Sequence, residues 1–224
     1  GSGIDGGAVY NSGTLNMNGG EISNNRARTG GGVFSKGTFN LNGGTISNNH
    51  GYDNKRFSYS YGGSSKVNSA AAGGGVFLAG SSTMNMSGGT ISGNSSCVGG
   101  GISLGNETNA YIAYGGPTLT MTGGAIDGNT AVTEGGGIFI QEMCEATISG
   151  GSITNNKSEG SFSVATGINF LYGGGGIYVN GGTGMTKKDG VLRLKNAAIT
   201  GNTSNSNGGG IAGCPSANVE VMMG

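Results

Sequence analysis

Short runs of alternating apolar and polar residues, each bounded by glycine or asparagine, recur along the whole chain. One set follows glycine-rich clusters: Val9, Val33, Val76, Ile102, Ile138, Ile177 and Ile211. A second set reads Leu15-Asn16-Met17, Phe39-Asn40-Leu41, Met84-Asn85-Met86, Leu119-Thr120-Met121, Ala146-Thr147-Ile148, Leu192-Arg193-Leu194 and Val219-Glu220-Val221. A third centres on Ile22, Ile46, Ile91, Ile126, Ile153 and Ile199. Period-two alternation over so few residues predicts short strands. Gly and Asn recur too often, and strong helix formers too rarely, for helix. Val9 and Val33 stand 24 residues apart, which is the uninterrupted period of the repeat.

Three strands per period, in about seven copies, predict an all-β fold: a right-handed single-stranded parallel β-helix, with residues 1–224 forming one domain. A single copy cannot bury its own apolar side chains; stacking places like residues over like and makes the core continuous. The right hand follows from the rarity of left-handed parallel crossovers. Val33, Val76, Ile102, Ile138 and Ile177 are expected in the core, with Leu15, Met17, Leu41, Met86, Leu119 and Met121. Gly-Gly follows the second strand at 19–20, 43–44, 88–89, 123–124 and 150–151, where a corner requires backbone angles that glycine adopts freely. Asn196-Ala197 and Met223-Gly224 depart from that rule.

One polar position recurs three residues after each third-strand isoleucine: Asn25, Asn49, Asn94, Asn129, Asn156 and Asn202. Stacked asparagines can bond to one another as an amide ladder, and asparagine also tolerates left-handed turn conformations. These residues are read as structural.

The run Ile22-Ser23-Asn24-Asn25-Arg26-Ala27, followed by Gly30-Gly31-Gly32-Val33, resembles the repeats of the chlamydial polymorphic membrane proteins, which pair F-x-x-N with G-G-A-[ILV]. Gly6-Gly7-Ala8-Val9 fits the second element literally, and Ile126-Asp127-Gly128-Asn129 before Gly135-Gly136-Gly137-Ile138 fits as well as the first example. The resemblance extends over nearly the whole chain. It implies a pectate-lyase-like β-helix used in adhesion, on a bacterial surface or secreted. Ile replaces Phe throughout, and a third Gly replaces Ala in most copies, a looser pattern that many bacterial surface proteins share; the architecture is carried over and the specific partner is not.

Composition narrows the classes. Of 224 residues, 53 are glycine, without the every-third-residue spacing of collagen. Lys+Arg and Asp+Glu balance at 11 each, so no net positive field draws nucleic acid. No apolar stretch approaches the ~20 residues of a membrane span, so no membrane insertion by this segment is expected. Gly1 and Ser2 resemble a cloning scar, and the chain stops within an incomplete seventh copy. A segment of a longer surface protein is therefore expected, with flanking coils, caps or partner molecules covering its ends.

Recognition is expected in the insertions, 51–72, 106–117, 158–172 and 180–190, because insertions in a stacked repeat become loops. Tyr52, Arg56, Tyr59 and Tyr61 of the first, with Phe162, Phe170 and Tyr172 of the third, are the candidate ligand-binding residues for a host protein or glycan. The alternative is that these rings only pack the loops on the wall. Tyr111 and Tyr114 could add a second patch. The residue after each anchor is Tyr10, Phe34, Phe77, Ser103, Phe139, Tyr178 or Ala212. This column points away from the core, either as an exposed aromatic ladder or as stacked, covered rings.

Catalytic signals are weak, and no catalytic residue, metal ligand or cofactor is assigned. The rival reading is a carbohydrate-active enzyme domain, a polysaccharide lyase or glycoside hydrolase, which needs clustered carboxylates. Asp127, Glu134, Glu142 and Glu145 are the only local acidic group. His50 has no cysteine nearby and is read as a surface residue. Cys97, Cys144 and Cys214 are not expected to form a disulfide, since strand spacing keeps the closest two beyond reach. A third reading is an ice-binding surface: Thr14, Thr38, Thr83 and Thr118 form a partial column, although a T-x-T pair occurs only at Thr118 and Thr120.

Overall fold

The computed structural model describes residues 2–52, 72–105, 116–160, 173–181 and 188–222. Among them there is no helix, and every strand pairing is parallel, an arrangement compatible with a β-helix. The strands form two 7-stranded sheets and one 11-stranded sheet, and each sheet takes its strands in turn from successive repeats.

The anchor valines and isoleucines begin the strands of one 7-stranded sheet: Val9–Asn11, Val33–Ser35, Val76–Ala79, Ile102–Gly105, Ile138–Ile140, Ile177–Val179 and Ile211–Gly213. Register is anchor over anchor, as in Val33↔Val76 and Ile102↔Ile138. The expected second and third strands share the 11-stranded sheet. In the first two repeats they run through the glycine corner as single strands, Thr14–Ser23 and Thr38–Ser47. Later repeats divide there, as in Thr83–Met86 followed by Thr90–Ser92. The second corner glycine has positive φ, 82° at Gly20 and 88° at Gly44. In the sixth repeat, where Asn196-Ala197 replaces Gly-Gly, Asn196 takes the left-handed conformation, at φ 58°.

The other 7-stranded sheet corrects the expectation of three strands per period. A fourth strand lies between the ladder asparagine and the next glycine cluster, as Arg26–Thr29, His50–Gly51, Ser95–Val98, Thr130–Glu134 and Lys157–Ser158. Its first buried position in each repeat holds Ala27, Gly51, Ser96, Ala131 or Ser158, and the later ones hold Thr29, Val98 and Glu134, a mixture too small and too polar to produce an apolar alternation.

The core is one continuous cluster from Met17 to Leu194. Every expected core residue is buried except Leu15, which is half-buried and packs at its edge in the first repeat. A third glycine precedes most anchors because space is absent: a Cβ on Gly75 would stand 2.8 Å from the Gly101 carbonyl oxygen and 3.1 Å from the Asn94 amide nitrogen. The aromatic column is covered rather than exposed. Phe34, Phe77, Phe139 and Tyr178 are buried in a second, smaller core with Ala72, Ala79 and Val98, and only Tyr10 is open, at 53%. Ring centroids stack 5.1 Å apart for Tyr10–Phe34 and 5.6 Å for Phe34–Phe77.

Candidate binding face

The alternation that buries Met17, Leu41, Met86 and Met121 turns the residues between them outward. In the first four repeats those residues are Thr14, Asn16 and Asn18; Thr38, Asn40 and Asn42; Thr83, Asn85 and Ser87; and Thr118, Thr120 and Thr122. Register holds them in columns, with Thr14↔Thr38↔Thr83↔Thr118 and Asn16↔Asn40↔Asn85↔Thr120. Neighbouring strands lie about 4.8 Å apart, and alternate residues along a strand about 6.7 Å apart. The side chains brace one another. Asn85 Nδ2 donates to Asn40 Oδ1 at 2.8 Å, and Asn40 Nδ2 donates to Asn16 Oδ1 at 2.7 Å. In the next column Ser87 Oγ donates to Asn42 Oδ1 at 2.9 Å, and Asn42 Nδ2 to Asn18 Oδ1 at 2.8 Å. Thr118 and Thr83 hydroxyls are 3.2 Å apart. Beyond the fourth repeat the same face becomes charged: Arg193 pairs with Glu145 and, at 3.1 Å, with Glu220.

The inner asparagines meet as a ladder through the wall. Asn25, Asn49, Asn94, Asn129 and Asn156 each donate Nδ2 to Oδ1 of the next member, at 2.9–3.0 Å, ending on Asn202. The backbone N–H of each donor residue shares the same acceptor, as from Asn94 to Asn129 at 3.0 Å. From Asn49 onward the second amide proton returns to an isoleucine carbonyl of the preceding repeat, as from Asn129 to Ile91 at 2.9 Å, while Asn25 donates to the Ser23 carbonyl at 2.8 Å. The left-handed turn belongs to the residue before: Asn24, Asn48, Gly93, Gly128, Asn155 and Gly201 all have positive φ, and the ladder asparagines do not. Only Asn and Gly occupy that column, which is a signal present in the sequence and overlooked there.

Of the candidate binding residues, Tyr52 is half-buried, with the Arg26 guanidinium carbon 4.3 Å from its ring centroid. Arg56, Tyr59, Tyr61, Phe162, Phe170 and Tyr172 lie outside the described residues, as do Tyr111 and Tyr114. The structure does not assemble the acidic group. Asp127 accepts from Thr154 Oγ1 at 2.6 Å and Asn155 Nδ2 at 2.9 Å, while Glu145 is held by Arg193. Glu134 is buried, and burial pushes its carboxyl up to about 7, against a smaller opposing effect of the Thr133 hydroxyl. His50 Nδ1 lies 2.7 Å from Ser95 Oγ. Burial and the Arg26 charge both lower the His50 pKa. A cation beside the ring disfavours the imidazolium form. All three cysteines are free, and burial raises the Cys144 thiol far above its ordinary value, which leaves it unreactive. Among the described residues, no group of three or more His, Cys, Asp or Glu could hold a metal ion.

Compared with known proteins, the chain matches no family model, no curated protein and no solved structure.

Proposed function

We propose that the parallel sheets are the walls of a right-handed β-helix, and that the chain is a non-catalytic binding segment of a bacterial cell-surface or secreted protein. In this reading the stacked repeats form a rigid stalk, and adhesion is its task. The hand rests on the strong preference of parallel crossovers. The surface context rests on the resemblance of the Ile-x-x-Asn and Gly-Gly-x-[ILV] elements to the chlamydial repeats.

The observation that carries the binding role is the outward Thr/Asn/Ser face of the first four repeats. Its side chains are held by one another before any ligand arrives, which reduces the ordering cost of recognition. The aromatic insertions remain a second proposed contact region.

The test is a panel of soluble glycans, extracellular host proteins and solid substrates, presented to the full chain, with an assay for new reducing or unsaturated sugar ends. Saturable retention without new ends is expected. Release of ends would establish the enzyme reading instead, and retention on no member of the panel would overturn the binding role.

A further inference from the structure

The outward face of the first four repeats has a chemistry that selects its partner. Its positions are Thr, Asn and Ser, none of which is charged at any accessible pH. Such a face exerts no long-range attraction on a polyanion or a polycation. It also carries no aromatic ring on which a sugar could stack. Small soluble ligands are bound in concave sites, where a few unlike groups converge. Here like groups repeat in two directions, about 4.8 Å across strands and about 6.7 Å along them. A surface periodic in two dimensions is complementary to a partner that is itself periodic in two dimensions. Side-chain ladders are among the devices that stabilise flat, untwisted sheets.

We infer that this face binds ice: its partner is a lattice of ordered water, and Thr14, Thr38, Thr83 and Thr118 with Asn16, Asn40 and Asn85 anchor it. The inference rests on the reading of the chain as a binding segment and names the ligand. An uncharged, hydrogen-bonding, regular face calls for an uncharged, hydrogen-bonding, regular partner. Within the Asn16–Asn40–Asn85 column, Asn40 spends one amide proton and part of its oxygen's capacity on its neighbours, Asn85 spends one proton, and Asn16 only accepts. What remains, at least one N–H and further lone pairs, is held at a fixed position on the outside and can seat water in register. The asparagine column therefore stands where a second threonine column would be needed to complete T-x-T rows, and supplies the missing positions. The charged Glu145–Arg193–Glu220 group bounds the face at the fifth repeat, because charged groups orient water around themselves rather than in a lattice.

The experiment uses the full chain in ice-recrystallisation inhibition, thermal hysteresis and adsorption of fluorescently labelled protein to a growing ice crystal. Crystalline cellulose and chitin pull-downs run in parallel. The native chain is expected to adsorb to ice, shape the crystal and inhibit recrystallisation. Thr83→Tyr, in the middle of the face, should abolish all three effects, and Asn85→Lys should do the same by introducing a charge. Val132→Tyr, on the fourth-strand sheet at a position 54% exposed, should leave them unchanged. Thermal melts monitored by circular dichroism establish that each variant is folded; because two face variants are used, one misfolded protein does not remove the test. Equal activity of native, T83Y and N85K chains overturns the inference, and so does equal loss in V132Y. Failure to adsorb to ice together with retention on cellulose or chitin rejects the water lattice and leaves the binding segment standing. Failure on ice, on polysaccharide and on the broader panel rejects both.

Discussion

The molecule contains two asparagine ladders with the same elementary bond and opposite surroundings. The inner one runs through Asn49, Asn94, Asn129 and Asn156, each no more than 1% exposed. The outer one, Asn16–Asn40–Asn85, lies on the solvent side of the second strands. In the inner ladder each oxygen accepts from a main-chain N–H as well as from an amide, so the amide can point only one way. Its donors run toward the later repeat, whereas those of the outer ladder run toward the earlier one. The outer amides are oriented by one another on the solvent side, where water can replace a bond that is lost. The difference teaches that a hydrogen bond's contribution depends on what replaces it when it is broken. Inside, nothing replaces it. Outside, water does, which is the property a face needs if water is its partner.

Variants can break or sharpen that contrast. The largest expected effect is in the apolar core that both ladders flank: Ile138→Ala should cost about 2–5 kcal/mol in urea unfolding, the usual range for a cavity in a close-packed interior. A cost near zero would mean that the stacked anchors can collapse around the gap.

The glutamates repeat the contrast between buried and more exposed versions of one group. Glu134 is raised to about 7 by burial, so the folded state holds its proton where the unfolded chain has released it. Stability from this group is fully present below the unfolded value, near 4.5, and is lost as pH rises through about 7. The loss is on the order of 3 kcal/mol. Glu134→Gln should remove that dependence, read as the difference in urea midpoint between pH 5 and pH 8. A native chain that gains stability over that interval relative to the variant would refute the assignment. Glu145, half-buried and paired with Arg193, should contribute less than about 1 kcal/mol.

Next comes Asn129→Ala, which leaves the Asn94 amide and backbone N–H without their acceptor, inside the wall. It should destabilise by about 1–3 kcal/mol. The smallest effect is expected for Asn40→Ala in the outer ladder, within about 0.5 kcal/mol of the native chain, because water takes over the freed groups. Equal costs for Asn129→Ala and Asn40→Ala would erase the distinction on which the two ladders are separated.

Much of the architecture was legible. The Val and Ile anchors, the second-strand pairs and the Ile-x-x-Asn element all announce themselves by period, because each must place the same group over the same group in the next repeat. The fourth strand was not legible, since Ala27, Gly51, Ser96, Ala131 and Ser158 bury at most a methyl or hydroxymethyl group and so give no strong apolar alternation. The candidate face was half legible. Its threonine column was visible, but outward asparagines at 16, 40 and 85 look in sequence like any solvated strand surface. Only register shows that they touch.

What the sequence determined by itself is therefore what repeats: strand type, parallel stacking, inward apolar columns and the inner asparagines. Each of these follows from local alternation and a fixed spacing, and both are properties of a chain read in order. The tertiary structure decided what depends on neighbours from other repeats. It covered Phe34, Phe77, Phe139 and Tyr178, made Glu134 a buried acid, and joined Asn16, Asn40 and Asn85 into a hydrogen-bonded column. These outcomes rest on burial and on contact between residues 24 to 45 positions apart, and neither is a property of any single segment.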